Sequence, residues 1–217
     1  MKYDAIIFDL DGTVVDSLQD IVDAVNHTMR HFNLPERTSD ALKPHLGWGA
    51  GHLMRSILPG LSQARVDEVL DHYRPYYARH AGDKSRPFDG ILPMMERLKA
   101  NGIMLAILSN KPDAAVQPLA RRYFDGLVSL GVGELEHVRR KPHPDMVEIA
   151  ARRLNVSLNR CLYVGDTEVD IDTAKNAGID CACVTWGFRT REQLNRAGAT
   201  VIVDTPDELV SYILPSS

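Results

Sequence analysis

The sequence predicts an α/β protein: a Rossmann-like, doubly wound parallel sheet with an inserted α-helical cap. Three observations carry this expectation. A short apolar run, Ala5 to Phe8, ends abruptly in Asp9-Leu10-Asp11-Gly12-Thr13. From about residue 17 to residue 82 the apolar spacing is helical and no convincing strand appears. From Pro87 onward helical and strand-like segments alternate, the order that builds a parallel sheet with helices on both faces. The expected division is a core of residues 1–15 and 84–217 and a cap of residues 16–83.

Each element has its own signal. Ala5 to Phe8 is uniformly apolar, as a strand buried on both faces must be. Ser17 is a plausible N-cap with Asp20 three residues on, followed by apolar residues at Leu18, Ile21, Val22, Val25, Met29 and Phe32. A short helix is expected around Leu53 to Leu58 and a longer one through Val66, Val69, Leu70, Tyr73, Tyr76 and Tyr77. A glycine-rich turn, Gly47-Trp48-Gly49-Ala50-Gly51, precedes them. The helix Ile91 to Lys99 stops at Asn101-Gly102. Strands are expected at Ile103–Leu108, Gly126–Ser129, Cys161–Val164, Cys181–Thr185 and Val201–Val203, with helices at Met146–Leu154 and Val169–Ala177, the latter closed by Gly178. Pro118 falls inside a helical pattern at 113–122 and predicts a late start or a kink. The last helix has Thr205 as N-cap, Pro206 in its first position and Glu208 as the reciprocal capping residue.

Composition narrows the function classes. The chain has 217 residues, 44% hydrophobic and 25% charged, with a formal net charge of -4. That is the mix of a globular protein with a real core, and it gives no reason to expect nucleic acid or an anionic membrane as partner. No stretch approaches the roughly 20 apolar residues of a membrane span, and the N-terminus does not read as a signal peptide. Cytoplasmic residence is expected, with Cys161, Cys181 and Cys183 as reduced thiols, since there is no CxxC spacing. Monomer and homodimer both remain open.

In an open parallel sheet ligands bind beyond the carboxyl ends of the strands. Three expected strand ends are polar: Asp9 and Asp11 at the first, Ser109 and Asn110 at the second, Gly165-Asp166-Thr167-Glu168 and then Asp170 at the third. A basic stretch, Arg139-Arg140-Lys141-Pro142, lies before the helix near Asp145. Hydrolysis of a phosphate ester needs such a set. A hard cation such as Mg²⁺, held by carboxylates, screens the dianion. A carboxylate nucleophile splits the reaction in two, an acid protonates the leaving oxygen, and a lysine with neutral donors offsets the equatorial charge.

These residues carry a family resemblance. AIIFDLDGTVV at residues 5–15, Ser109 with Asn110, Lys141 with Pro142, and Gly165-Asp166 followed by Asp170 resemble, in order, the four motifs of the haloacid dehalogenase superfamily. The resemblance spans essentially the whole chain, including a helical cap after the first motif. It implies that Asp9 is the nucleophile and Asp11 the general acid and base, its backbone carbonyl also reaching the metal. Ser109 would bind phosphate with Asn110 as a neighbouring donor, and Lys141 would steady the nucleophile and the transferring group. Asp166 would ligate Mg²⁺ and Asp170 would bind or orient it. Gly12 would let backbone N–H groups face the phosphate. Taken singly, Asp9 could be a strand-end turn residue, Asp166 or Asp170 a helix N-cap and Lys141 an exposed loop lysine; the order of the motifs singles them out. Asp11 implies oxygen-bound phosphate, because members that cleave C–halogen or C–P bonds have no aspartate there.

The cap loop Leu46 to Leu53 resembles that of phosphoglycolate phosphatases, as do Pro87-Phe88-Asp89-Gly90-Ile91 and Val184-Thr185-Trp186-Gly187. This implies a small phosphorylated metabolite, 2-phosphoglycolate first, with Trp48, His52 and Arg55 as substrate contacts. A sugar phosphomutase, a pyrophosphatase or a nucleotidase of the same superfamily remain as alternatives.

Overall fold

The computed structural model describes residues 2–214, so the expected core limits at 1 and 217 lie outside the described residues. In chain order the elements are β1 (Ala5–Phe8), β2 (Val15–Asp16), α1 (Leu18–His31), α2 (Ser39–Leu42), α3 (Ala50–Ile57), α4 (Gln63–His80), β3 (Arg86–Pro87), α5 (Ile91–Ala100) and β4 (Met104–Pro112). There follow α6 (Asp113–Phe124), β5 (Leu130–Glu134), α7 (Asp145–Leu154), β6 (Cys161–Gly165), α8 (Glu168–Ala177), β7 (Asp180–Val184), α9 (Arg191–Arg196), β8 (Ile202–Val203) and α10 (Pro206–Ile213). The main sheet has the order β5-β4-β1-β6-β7-β8 and every pairing in it is parallel.

Alternation along the central strands feeds two cores, as the pleat requires. Ile6 and Phe8, Leu105 and Ile107, and Leu162 and Val164 face one side, against Met95 and Leu98 of α5 and Leu209 and Ile213 of α10. Ala5 and Ile7, Ala106 and Leu108, and Cys161 and Tyr163 face the other, against Met146, Val147 and Ala150 of α7. A separate apolar cluster joins α1, α3 and α4 through Val25, Met29, Leu53, Met54, Val69 and Tyr73. The antiparallel ribbon β2–β3 pairs Val15 with Pro87 and Asp16 with Arg86, so the chain enters and leaves this helical layer side by side.

Several local expectations are corrected. Ser17 precedes α1 but makes no capping bond, and its buried hydroxyl has no hydrogen-bond partner among the described residues. Asp20 instead accepts from the N–H groups of Lys84 (3.0 and 3.2 Å) and Ser85 (2.8 Å) and from the Ser85 hydroxyl (2.6 Å). The strand expected at Gly126–Ser129 is a turn, with the N–H groups of Leu127 and Val128 both bonded to the Phe124 carbonyl. The strand begins at Leu130, where Gly131 and Gly133 hid it. Gly133 is required by crowding: a Cβ there would run into the backbone of Asp113. Helix α6 starts at Asp113 and runs through Pro118, without the late start. Glu208 caps Asp204 N–H (2.8 Å) rather than Thr205.

Candidate active site

Strand β1 lies between β4 and β6, so the three polar strand ends are neighbours in space. Lys141 is brought to them by the loop after β5, fully buried at 2% exposure. Its ammonium lies 2.8 Å from Asp9 Oδ1 and 2.8 Å from Asp170 Oδ1, and 5.5 Å from the centre of the Tyr163 ring. The Leu10 N–H also donates to Asp9 Oδ1 (2.7 Å). Both donors thus engage one oxygen of Asp9 and leave Oδ2 open. Asp166 accepts from Thr13 Oγ1 (3.0 Å) and from the Phe188 N–H (2.7 Å). Gly12, at φ +83°, and Gly187 are required here by close approach: a Cβ on either would collide with the Asp166 carboxylate.

Asp9, Asp166 and Asp170 are buried and each offers an oxygen within 4.8 Å of the others. The Lys141 ammonium pairs with two of these three carboxyl groups, Asp9 and Asp170. Burial pushes the Asp9 carboxyl up to about 7, with Asp170 and Asp11 adding to the rise against the opposing pull of Lys141. Asp166 is raised well above the carboxylate range by burial and then by the charges of Asp170 and Asp9. For Lys141, burial favours the neutral amine, but Asp170 and Asp9 outweigh it and hold the ammonium. A hard divalent cation fits this all-oxygen, under-compensated set.

The other residues expected at the site are placed as follows. Ser109 lines the cavity, and its oxygen accepts from the Lys111 N–H (3.1 Å). Asp11 lines the cavity outside the three-carboxyl cluster, its side chain paired with Lys111 Nζ at 2.9 Å. Asp170 is capped in: Oδ2 accepts from the N–H groups of Asp166 (3.2 Å) and Thr167 (3.1 Å) and from Thr167 Oγ1 (3.0 Å), while Oδ1 holds Lys141. It is both the first-turn capping residue of α8 and the positioner of the lysine. Asn110 is not a free donor, because its amide hydrogens go to the carbonyls of Gly47 and Lys141, each at 3.0 Å. Gly12 does not offer its N–H to a ligand either; it donates to Val15 O (2.9 Å).

Trp48, His52 and Arg55 do not line the cavity; Gly47, Gly49, Ala50 and Leu53 of the same loop do. Trp48 turns toward the core and donates to Glu168 Oε1 (3.0 Å). His52 packs beside it, with ring centres 5.6 Å apart. Arg55 is exposed, its guanidinium beside Gly51.

Two residues escaped the sequence reading. Lys111, buried at 5% exposure, lines the cavity. It follows Ser109 by two residues, the spacing that returns a strand to the same face, and that was its available signal. Arg189 is the other. Its guanidinium donates to both Glu168 oxygens (2.8 Å each) and to the carbonyls of Lys43 (2.7 Å), Pro44 (3.1 Å) and Leu46 (3.1 Å), tying the segment before α3 to the sheet edge. No local pattern announced it.

A family profile described as haloacid dehalogenase-like hydrolase matches residues 6–184. The chain is 33% identical over 215 residues to a phosphoglycolate phosphatase of Colwellia psychrerythraea, covering 95% of each. It is 29% identical over 218 residues to an N-acetylmuramic acid 6-phosphate phosphatase of Pseudomonas aeruginosa, covering 98% of this chain and 96% of the relative. Among solved structures it resembles one from Lactobacillus delbrueckii subsp. bulgaricus, described there only provisionally as a phosphoglycolate phosphatase, with TM-score 0.95, 36% identity and full coverage of both chains. Motif order, sheet order and these likenesses agree: the chain belongs to the haloacid dehalogenase-like hydrolases, in the company of their phosphatases.

Proposed function

We propose that this enzyme hydrolyses a small phosphate monoester, with 2-phosphoglycolate as the leading substrate, through an aspartyl-phosphate formed on Asp9. The observation that carries the reading is the one-sided grip on Asp9: Lys141 and the Leu10 N–H hold Oδ1, which presents Oδ2 to the cavity. The relatives named above support a phosphatase over a mutase.

Asp9 and Asp166, with the backbone carbonyl of Asp11, would hold Mg²⁺, and Asp170 would act on it through Lys141 and the α8 turn. When bound, the ion supplies charge compensation that lets a carboxylate approach a phosphate dianion. Asp9 Oδ2 forms the new bond to phosphorus as the ester P–O bond breaks. Asp11 gives its proton to the departing alkoxide, then takes one from the water that cleaves the phospho-enzyme. Ser109 donates its hydroxyl hydrogen to the transferring group, and Lys141 keeps the nucleophile oriented.

We further assign residues 16–83 as a cap domain over a core of 1–15 and 84–217. The cavity supports this, since its walls come from both: Leu46 and Leu53 on one side, Asp9 and Ser109 on the other. Cytoplasmic residence accords with three unbridged cysteines, and no described helix is long and apolar enough to cross a membrane.

The test is Asp9→Asn, which keeps the shape and removes the nucleophilic charge. Turnover of 2-phosphoglycolate falls by about 10³-fold or more, and acid quench traps a phospho-enzyme in the parent protein alone. Activity within tenfold of the parent would remove Asp9 from the nucleophile's role.

A further inference from the structure

We propose that Lys111 recognises a second negative charge on the substrate, so that the enzyme selects phosphate esters of hydroxy acids over esters of neutral alcohols. This rests on the phosphatase reading above and specifies its substrate class.

The geometry separates the two buried lysines. Lys141 is committed to Asp9 and Asp170 and is absent from the cavity lining. Lys111 lines the cavity with a side chain only 2% exposed, and among the described residues there it is the one lysine or arginine, paired with Asp11 in a lining that also holds Asp9. Its ammonium carries three N–H donors. One goes to Asp11 Oδ1 at 2.9 Å, and the Tyr77 ring lies 4.8 Å away. Donor capacity therefore remains beside the cavity.

Burying an ammonium costs several kcal/mol before any pairing returns it, and a well-packed apolar side chain often serves stability as well or better. A lysine at this position is better explained by a ligand than by packing. Its place also says which part of the ligand it meets. Asp11 is the group that protonates the leaving oxygen, and Lys111 touches Asp11, so the ammonium stands beside the leaving group rather than the transferring phosphate. A carboxylate one or a few carbons from the ester oxygen falls within its reach. The phosphate itself is served by Ser109 at the strand end. Arg55 is exposed and off the lining.

Of the relatives named above, the phosphoglycolate phosphatase carries a name that denotes a phosphate ester of a hydroxy acid. That agrees with a cation at this point.

The experiment compares 2-phosphoglycolate with 2-hydroxyethyl phosphate, which keeps the ester oxygen and chain length and replaces the carboxylate by a hydroxymethyl group. The parent enzyme prefers 2-phosphoglycolate in kcat/KM by about 10- to 100-fold, the worth of one charge-assisted hydrogen bond in a buried site. Lys111→Met and Lys111→Gln slow both esters, but they bring the ratio close to one, chiefly through a raised KM for 2-phosphoglycolate. A preference that survives in both variants overturns the proposal. Hydrolysis of neither ester by the parent enzyme overturns the small-ester reading, and this proposal with it. Should both variants fail to fold, inhibition of parent-enzyme aryl phosphate hydrolysis decides. Glycolate inhibits and ethylene glycol does not; equal potency of the two overturns the assignment.

Discussion

Burial holds the Asp9 carboxyl up to about 7, against about 3.9 for an aspartate in an unfolded chain. Between those values the folded protein keeps a proton that the unfolded chain has lost. The contribution to stability is complete below about pH 4 and disappears as the pH rises through about 7, on the order of 4 kcal/mol in all. A divalent cation at Asp9 replaces that proton, so its stabilising effect grows over the same range. We predict that Mg²⁺ raises Tm by several degrees at pH 8 and by much less at pH 5, measured against the same protein in chelator. The difference between the two conditions cancels His27 and His72, whose burial shifts them downward and makes them titrate with the opposite sign. An equal gain at both pH values would show that the ion does not bind at Asp9. The residues of this cluster were legible because chemistry dictates their types and the strand ends dictate their places. The partners of Asn110 and Trp48 were not. An amide can donate to a ligand or to a loop carbonyl with the same atoms, and only the folded positions of Gly47 and Lys141 decide which.

At the scale of elements, the two-stranded ribbon and the start of α1 are joined by Asp20, 3% exposed, which accepts four hydrogen bonds from Lys84 and Ser85. Removing an acceptor of that kind leaves buried donors unsatisfied. We predict that Asp20→Ala lowers stability by about 2–4 kcal/mol, read from chemical denaturation, and that Asp20→Asn loses less. A loss below about 0.5 kcal/mol would mean that water replaces the carboxylate freely. The helices and central strands were readable from period alone, since β1, β4 and β6 alternate between two cores and α1 repeats its apolar face. Strand β5 was not, because Gly131 and Gly133 give a strand of weak propensity whose stability comes from pairing with β4. Leu127 and Val128 offered a stronger local signal in what is a turn.

Across the whole molecule, the sheet order does what no single segment can. It sets β4 and β6 on either side of β1, and four motifs spread over more than 160 residues of chain meet at one edge. The sequence order of alternating elements implied such an edge, but the contacts across it depend on long-range placement. Arg189 is the clearest case, with five hydrogen bonds reaching Glu168 and three carbonyls between residues 43 and 46. Lysine carries one ammonium and cannot reproduce a planar fork. We predict that Arg189→Lys lowers Tm and exposes the chain near residues 43–47 to limited proteolysis, with cleavage at least several-fold faster than in the parent. Unchanged cleavage would assign the hold on this segment to the apolar cluster alone.

The same guanidinium has a consequence in time. His45, Leu46 and Gly47 form part of the cavity wall, and the carbonyls that Arg189 grips flank or belong to this stretch. All three carbonyls are held by one planar guanidinium, so any displacement of that group alters the hold on every one of them. The order of this part of the wall over time is thus tied to a single side chain that is itself outside the cavity lining.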